Sequence, residues 1–205
     1  LAYYYLTNDS PHNVVGFAVD EAYIKEDCFY NLPVVAFENI SKLYPADEFK
    51  LFVPISYAQV NRIRANRYLT AKAAGYSFVT YVSSYANIFN ASIGENCFIM
   101  ENNTLQPFVS IGNNCILWSG NHIGHHSVIE DHCFISSHVV IAGSVKIKEY
   151  SFLGINSSVR DNLTIGESNV IGAGSLILKN TETNMVFSPH STTASKVKSG
   201  RLRSI

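Results

Sequence analysis

The chain has 205 residues, 47% hydrophobic but only 15% charged, with 15 basic side chains against 16 acidic ones. That length buries a core in one domain, or in a small domain beside a medium one, and a formal net charge of -1 excludes a basic footprint for nucleic acid or an anionic membrane. No apolar run approaches the roughly 18 residues of a membrane span, and four cysteines do not make a secreted disulfide scaffold, so a soluble, cytoplasmic protein is expected.

Residues 1–9 (LAYYYLTND) read as a helix already under way at Leu1, and a preceding segment is therefore expected. Residues 13–21 are an apolar run ending in acids, as in a parallel strand; Val34 to Phe37 form a second strand, followed by a helix through Tyr44. Residues 49–56 give a third strand and 61–75 an amphipathic, alanine-rich helix ended by Gly75. A last strand at 77–83 leads out of this region. Alternating strands and helices predict a small parallel α/β domain over 1–83, Rossmann-like and truncated at its start, with ligands at the carboxyl ends of its strands.

From Ile93 an aliphatic anchor falls at every sixth position, through Ile99, Leu105, Ile111 and onward to Ile177, fifteen times without a slip. Four positions after each anchor sits a small or modest residue, and glycine follows several anchors (Gly94, Gly112, Gly124, Gly154, Gly166, Gly172), where it eases a tight turn. Neither a helical period of 3.6 nor plain strand alternation gives this spacing. It predicts a left-handed parallel β-helix over 84–182, with three hexads per triangular coil and about five coils, followed by a tail over 183–205. At about 4.8 Å per strand spacing the prism is roughly 24 Å tall.

An 18-residue coil turns sequence into a contact map. Cys97, Cys115 and Cys133 lie 18 apart and should stack at one inner corner, where Ser151 and Asn169 continue the column, which favours small-residue packing over a metal site. Phe98, Phe134 and Phe152 share an outward column, and burial against another subunit is expected for them. Five histidines crowd into 17 residues: His122, His125, His126, His132 and His138. His125 and His126 follow Ile123 and Gly124 at an outward corner, and one coil above His125 comes Gly143, a side-chain-free patch where a cofactor tail could approach. An imidazole suits general-base work. His126, His132 and His138, six apart, occupy equivalent places on three successive sides and cannot meet at one metal within a chain.

The helix NRIRANRY, the stretch GNHIGHHSVIEDHCFISSHVVIAGSVKI, and the segments FLGINSSV and IGAGSLILKN resemble the sugar acyltransferases related to sialic-acid O-acetyltransferase and the bacillosamine- and perosamine-type N-acetyltransferases. The resemblance runs from about residue 13 to 181. It implies a nucleotide-sugar-binding first domain, a trimerising left-handed β-helix, and acetyl transfer from acetyl-CoA to a nucleotide-linked sugar for bacterial surface glycan synthesis, without a metal. The family's general base falls on His125. The next position, a glutamate in bacillosamine-type members, is His126 here, so Glu130 or Asp131 would orient the base only if the fold brings them near. A family histidine that touches the acetyl group falls on Phe134, so that interaction is either absent or supplied by another residue such as His132. The cofactor positions fall on Gly143, Ile155 and Ala173, with Lys179 facing a CoA phosphate, and Asp20 matches an acid that contacts the nucleotide base. The family's glycine-rich phosphate loop has no counterpart after Leu1. The competing readings are a noncatalytic nucleotide-sugar-binding or trimeric assembly protein, and a zinc hydratase of the γ-carbonic anhydrase type.

Overall fold

A computed structural model describes residues 1–189 and 191–201. Helix α1 (Ala2–Asn8) leads into strand β1 (Phe17–Val19), the hairpin of β2 (Cys28–Phe29) and β3 (Leu32–Ala36), the short helix α2 (Ile40–Leu43) and strand β4 (Lys50–Leu51). Helix α3 (Arg62–Ala73) and strand β5 (Ser77–Phe78) complete the first region. Both β1 with β3 and β4 with β5 pair in parallel, as the alternation implied, while β2 adds an antiparallel edge. Sequence reading missed β2, a two-residue strand reversed through Tyr30 and Asn31, both at positive φ. The sheet is divided: β1 and β4 flank a groove of 470 Å³ lined by Phe17, Ile40, Leu51, Phe52 and Val79.

The remainder is the hexad prism. Its three sheets hold seven, six and five parallel strands, each strand paired with the one 18 residues away along most of the stack. The prism reaches slightly beyond the hexads, because Tyr81–Val82 already lies against Phe98–Ile99 and Val186–Phe187 lies against Val170–Ile171. The anchors fill its interior: Ile99, Leu105, Leu117, Ile123, Ile129, Ile135, Ile141, Ile147 and Leu153 are fully buried in one continuous core. Burying each such side chain contributes roughly 1.5–3 kcal/mol.

Every sixth residue from Asn90 to Gly174 has a left-handed backbone, with φ between 48 and 80°. This position, three past each anchor, turns each corner, and Asn holds it six times. The glycines directly after the anchors serve another purpose. A Cβ on Gly124 would lie 2.5 Å from the carbonyl carbon of Ala142, so glycine is there to admit the next coil, not to supply a positive φ.

The outward aromatic column is covered by the chain's own first region, which corrects the expectation of a second subunit there. Phe98 meets Tyr5, Phe52 and Tyr81, and Phe134 and Phe152 meet Tyr57. The seven-stranded sheet is therefore the covered face, and the six-stranded sheet (second face) and five-stranded sheet (third face) remain open. Helix α3 closes the corner between third and covered faces. Its Arg64 is fully buried and gives its guanidinium protons to the carbonyls of Ile55, Ser56, Asn114, His132 and Cys133 and to Asn61 Oδ1, at 2.9 to 3.3 Å. Burial lowers its pKa to about 10, which still leaves it charged at neutral pH.

Candidate active site

The corner between second and third faces carries the histidine pair. The strand His122–Ile123 ends at Gly124, and the chain turns through His125 and His126 into Val128–Ile129. Both histidines are exposed. The His125 N–H donates to Gln106 Oε1 at 2.9 Å in the coil below. Its ring lies over Gly143 in the coil above, where a Cβ would come within 2.6 Å of Cε1 and 2.7 Å of Nε2. A side chain at Gly143 would therefore push the imidazole out of this position. His126, at φ 59°, turns back so that the two Nδ1 atoms are 3.1 Å apart, and its ring lies against Phe108 with centroids 4.8 Å apart.

The other candidates divide between two corners. The 18-residue step from His125 leads to Gly143, Asp161 and Lys179, all on this edge, with Lys179 exposed. Ile155, 52% exposed, and Ala173 follow strands of the covered face and sit on the next corner, before the second face. One chain therefore does not bring all four together. Asp20 lies just past β1 and accepts from Arg67 of α3 at 2.5 Å, both side chains being about two-thirds buried. Tyr3, Phe17, Phe29, Trp118 and Phe134 line a 440 Å³ cavity between the first region and the covered face, which the sequence did not indicate.

Two suggested substitutes fail on geometry. His132 is 5% exposed at the corner under α3, where its Nδ1 meets Asn114 Nδ2 at 2.8 Å between the rings of Tyr68 and Tyr150. Burial lowers its pKa, and it cannot stand in for the histidine that Phe134 replaces. Glu130 and Asp131 are at that same far corner, with Glu130 Oε1 on Lys146 Nζ at 2.7 Å and Asp131 Oδ1 accepting from the Asn113 N–H at 2.7 Å. Neither orients His125.

The cysteine column is a run of thiol donors. Cys97, Cys115 and Cys133 give their S–H groups to the carbonyls of Gly112, Glu130 and Lys148 at 3.0 to 3.2 Å, and Ser151 repeats the contact to Gly166. Burial pushes the Cys133 thiol up. Among the described residues no three metal-ligating side chains converge.

Residues 90–125 match the bacterial transferase hexapeptide family (six repeats). A comparison with curated protein sequences gave no significant match. Solved structures that share the architecture include acetyltransferases. A perosamine N-acetyltransferase from Caulobacter crescentus, a histidine-to-asparagine variant in complex with CoA and GDP-perosamine, superposes with a TM-score of 0.74 at 23% identity, covering 82% of this chain and 79% of that one. WeeI from Acinetobacter baumannii gives 0.60 at 18% identity, over 83% and 81% of the two chains. The acetyltransferase domain of PglB from Neisseria gonorrhoeae gives 0.52 at 18%, over 83% and 82%. The fold is thus the left-handed β-helix with a small α/β region in front, as the sequence resemblance implied.

Proposed function

We propose that the protein transfers an acetyl group from acetyl-CoA to an amino or hydroxyl group of a nucleotide-linked sugar, as a cytoplasmic step in surface glycan synthesis. The observation that carries this reading is His125, whose backbone N–H is held at a prism corner by Gln106 and whose exposed imidazole lies against the bare backbone of Gly143. The solved structure with CoA and GDP-perosamine bound has the same architecture, which supports the choice of substrate class.

In this mechanism His125 takes the proton from the sugar nucleophile as it attacks the thioester carbonyl. A tetrahedral oxyanion forms and is held by a backbone N–H of the corner; the carbon–sulfur bond then breaks and the proton passes to the CoA sulfur. The pantetheine arm runs past Gly143 of one chain and Ile155 and Ala173 of a neighbour, with Lys179 at a CoA phosphate, since one chain separates these residues onto two corners. A homotrimer supplies that neighbour, and the exposed Val140 and Leu176 on the second face, with Phe108 at its edge, are surface suited to the contact. Residues 1–83 hold the nucleotide, with Asp20 near its base, residues 84–182 hold acetyl-CoA, and the tail 183–205 has no assigned role.

His125→Asn should lower kcat roughly 100-fold or more, with the trimer and the melting temperature unchanged. The assay uses acetyl-CoA with a panel of nucleotide-linked amino sugars and identifies products by mass spectrometry. Full activity in this variant would exclude His125 as the base.

A further inference from the structure

We infer that His126 orients His125 through its own ring nitrogen, making an imidazole–imidazole pair in which the second histidine is the positioning residue. This deepens the acyl-transfer reading above and rests on it for its kinetic part only.

The contact is specific. Adjacent residues seldom bring their side-chain tips together, yet here the two Nδ1 atoms are 3.1 Å apart with the rings at 85°. The left-handed backbone of His126, φ 59°, creates the approach, and the Phe108 ring holds the imidazole from the other side. A contact of that length between two Nδ1 atoms requires one to donate and the other to accept, because two lone pairs or two N–H groups would repel.

The direction of the bond matters for chemistry. If His125 donates from Nδ1, its lone pair is on Nε2, the atom beside Gly143, where substrate would approach. His126 then accepts at Nδ1 and carries its proton on Nε2, facing water. On proton transfer His125 becomes an imidazolium, and its Nδ1–H bond to His126 becomes charge-assisted and stronger. The pair therefore stabilises the charge that develops as the sugar attacks. No other side chain is hydrogen-bonded to the His125 ring among the described residues. The turns stacked below and above present Gln106, Pro107, Phe108, Ala142, Gly143 and Ser144, none of them charged, and Asp161 comes a further coil away. His126 is the titratable neighbour that faces the base.

The left-handed conformation makes clean substitutions available. Glycine, asparagine and aspartate all tolerate that φ. His126→Gly removes the acceptor. His126→Asn keeps one, because an asparagine Oδ1 is attached to Cγ just as a histidine Nδ1 is. His126→Asp places a carboxylate at the same spot.

The test joins a spectroscopic and a kinetic measurement on the full chain. Long-range 1H–15N NMR of histidine-labelled protein at pH 8 should show His125 in the Nδ1–H form in the wild type and in His126→Asn, and should show loss of that preference in His126→Gly. In parallel, His126→Gly should lower kcat roughly 10-fold at unchanged KM, His126→Asn should recover most of it, and His126→Asp should move the acid limb of the kcat profile to higher pH, because an opposite charge favours the imidazolium. An unchanged His125 tautomer and unchanged kcat in His126→Gly would overturn the positioning role. If His125→Asn retains full activity, the acyl-transfer reading fails instead, and the NMR result alone decides whether the pair is formed.

Discussion

Three of the five crowded histidines owe their spacing to the backbone. His126, His132 and His138 hold the left-handed corner position that Asn90, Asn96, Asn102, Asn114, Asn156 and Asn162 hold elsewhere, and histidine shares with asparagine an enrichment in that conformation. Crowding was therefore a weaker sign of chemistry than it looked. His122, in a strand, and His125, one residue off that position, are the two whose placement the turn does not explain, and of these His125 is exposed at the corner. Arg64 makes the opposite case. Helix α3 contains Arg62, Arg64 and Arg67, and nothing in their spacing says that only the middle one is fully buried. Its worth lies in the carbonyls of the prism corner it satisfies, which are fixed by residues 50 to 69 positions away. Arg64→Met strips those carbonyls of their donors and should destabilise the protein by roughly 3 kcal/mol, read as a lower urea midpoint. Arg64→Lys, with a single ammonium in place of the fork, should recover only part of the loss.

The hexad anchors made the prism legible because each strand is two residues long and one of the two must point inward. The covering of its seven-stranded face was not legible, since an outward aromatic looks the same whether its partner is another chain or residue 57 of the same one. Helix α1 shows how that cover is fastened. The Tyr5 hydroxyl donates to Glu101 Oε2 at 2.7 Å, and Asp9 Oδ2 accepts from the Ser84 N–H, the Tyr81 hydroxyl and the Ser83 hydroxyl at 2.6 to 3.1 Å. The bonds from Ser84, Tyr81 and Ser83 hold the Asp9 carboxyl down at about 2. A carboxyl depressed in the folded state stabilises above its unfolded value of about 3.9, and that contribution fades as pH falls through the folded value. Wild type should therefore exceed Asp9→Asn in urea midpoint at pH 6, and the gap should narrow from pH 4 and close near pH 2. A gap that stays constant across the range would show that the Asp9 charge plays no part.

At the scale of the whole molecule, the candidate residues of one chain are parcelled between neighbouring edges, with His125, Gly143 and Lys179 on one and Ile155 and Ala173 on the other. If each site is closed by two copies, two defective chains can repair each other. Chains carrying His125→Asn and chains carrying Ala173→Trp, each inactive alone, should recover activity at about a quarter of the sites when unfolded and refolded together, since a site needs a sound half from each neighbour in a cyclic assembly. Recovery should be absent when the two purified proteins are simply mixed without refolding. Ala173 is exposed, so the tryptophan has room and acts on the groove and not on the core.

The bare addition of eighteen that stacks Gly143 on His125 also makes the prism behave as a screw thread. A duplicated coil would lengthen the thread and leave every later residue on its own edge. A duplicated hexad would keep each anchor inside and each corner residue at a corner, yet rotate all that follows by one third of a turn. Such a protein would keep its packing intact and lose its address, for the glycine beneath which the imidazole lies would have been carried to a different edge.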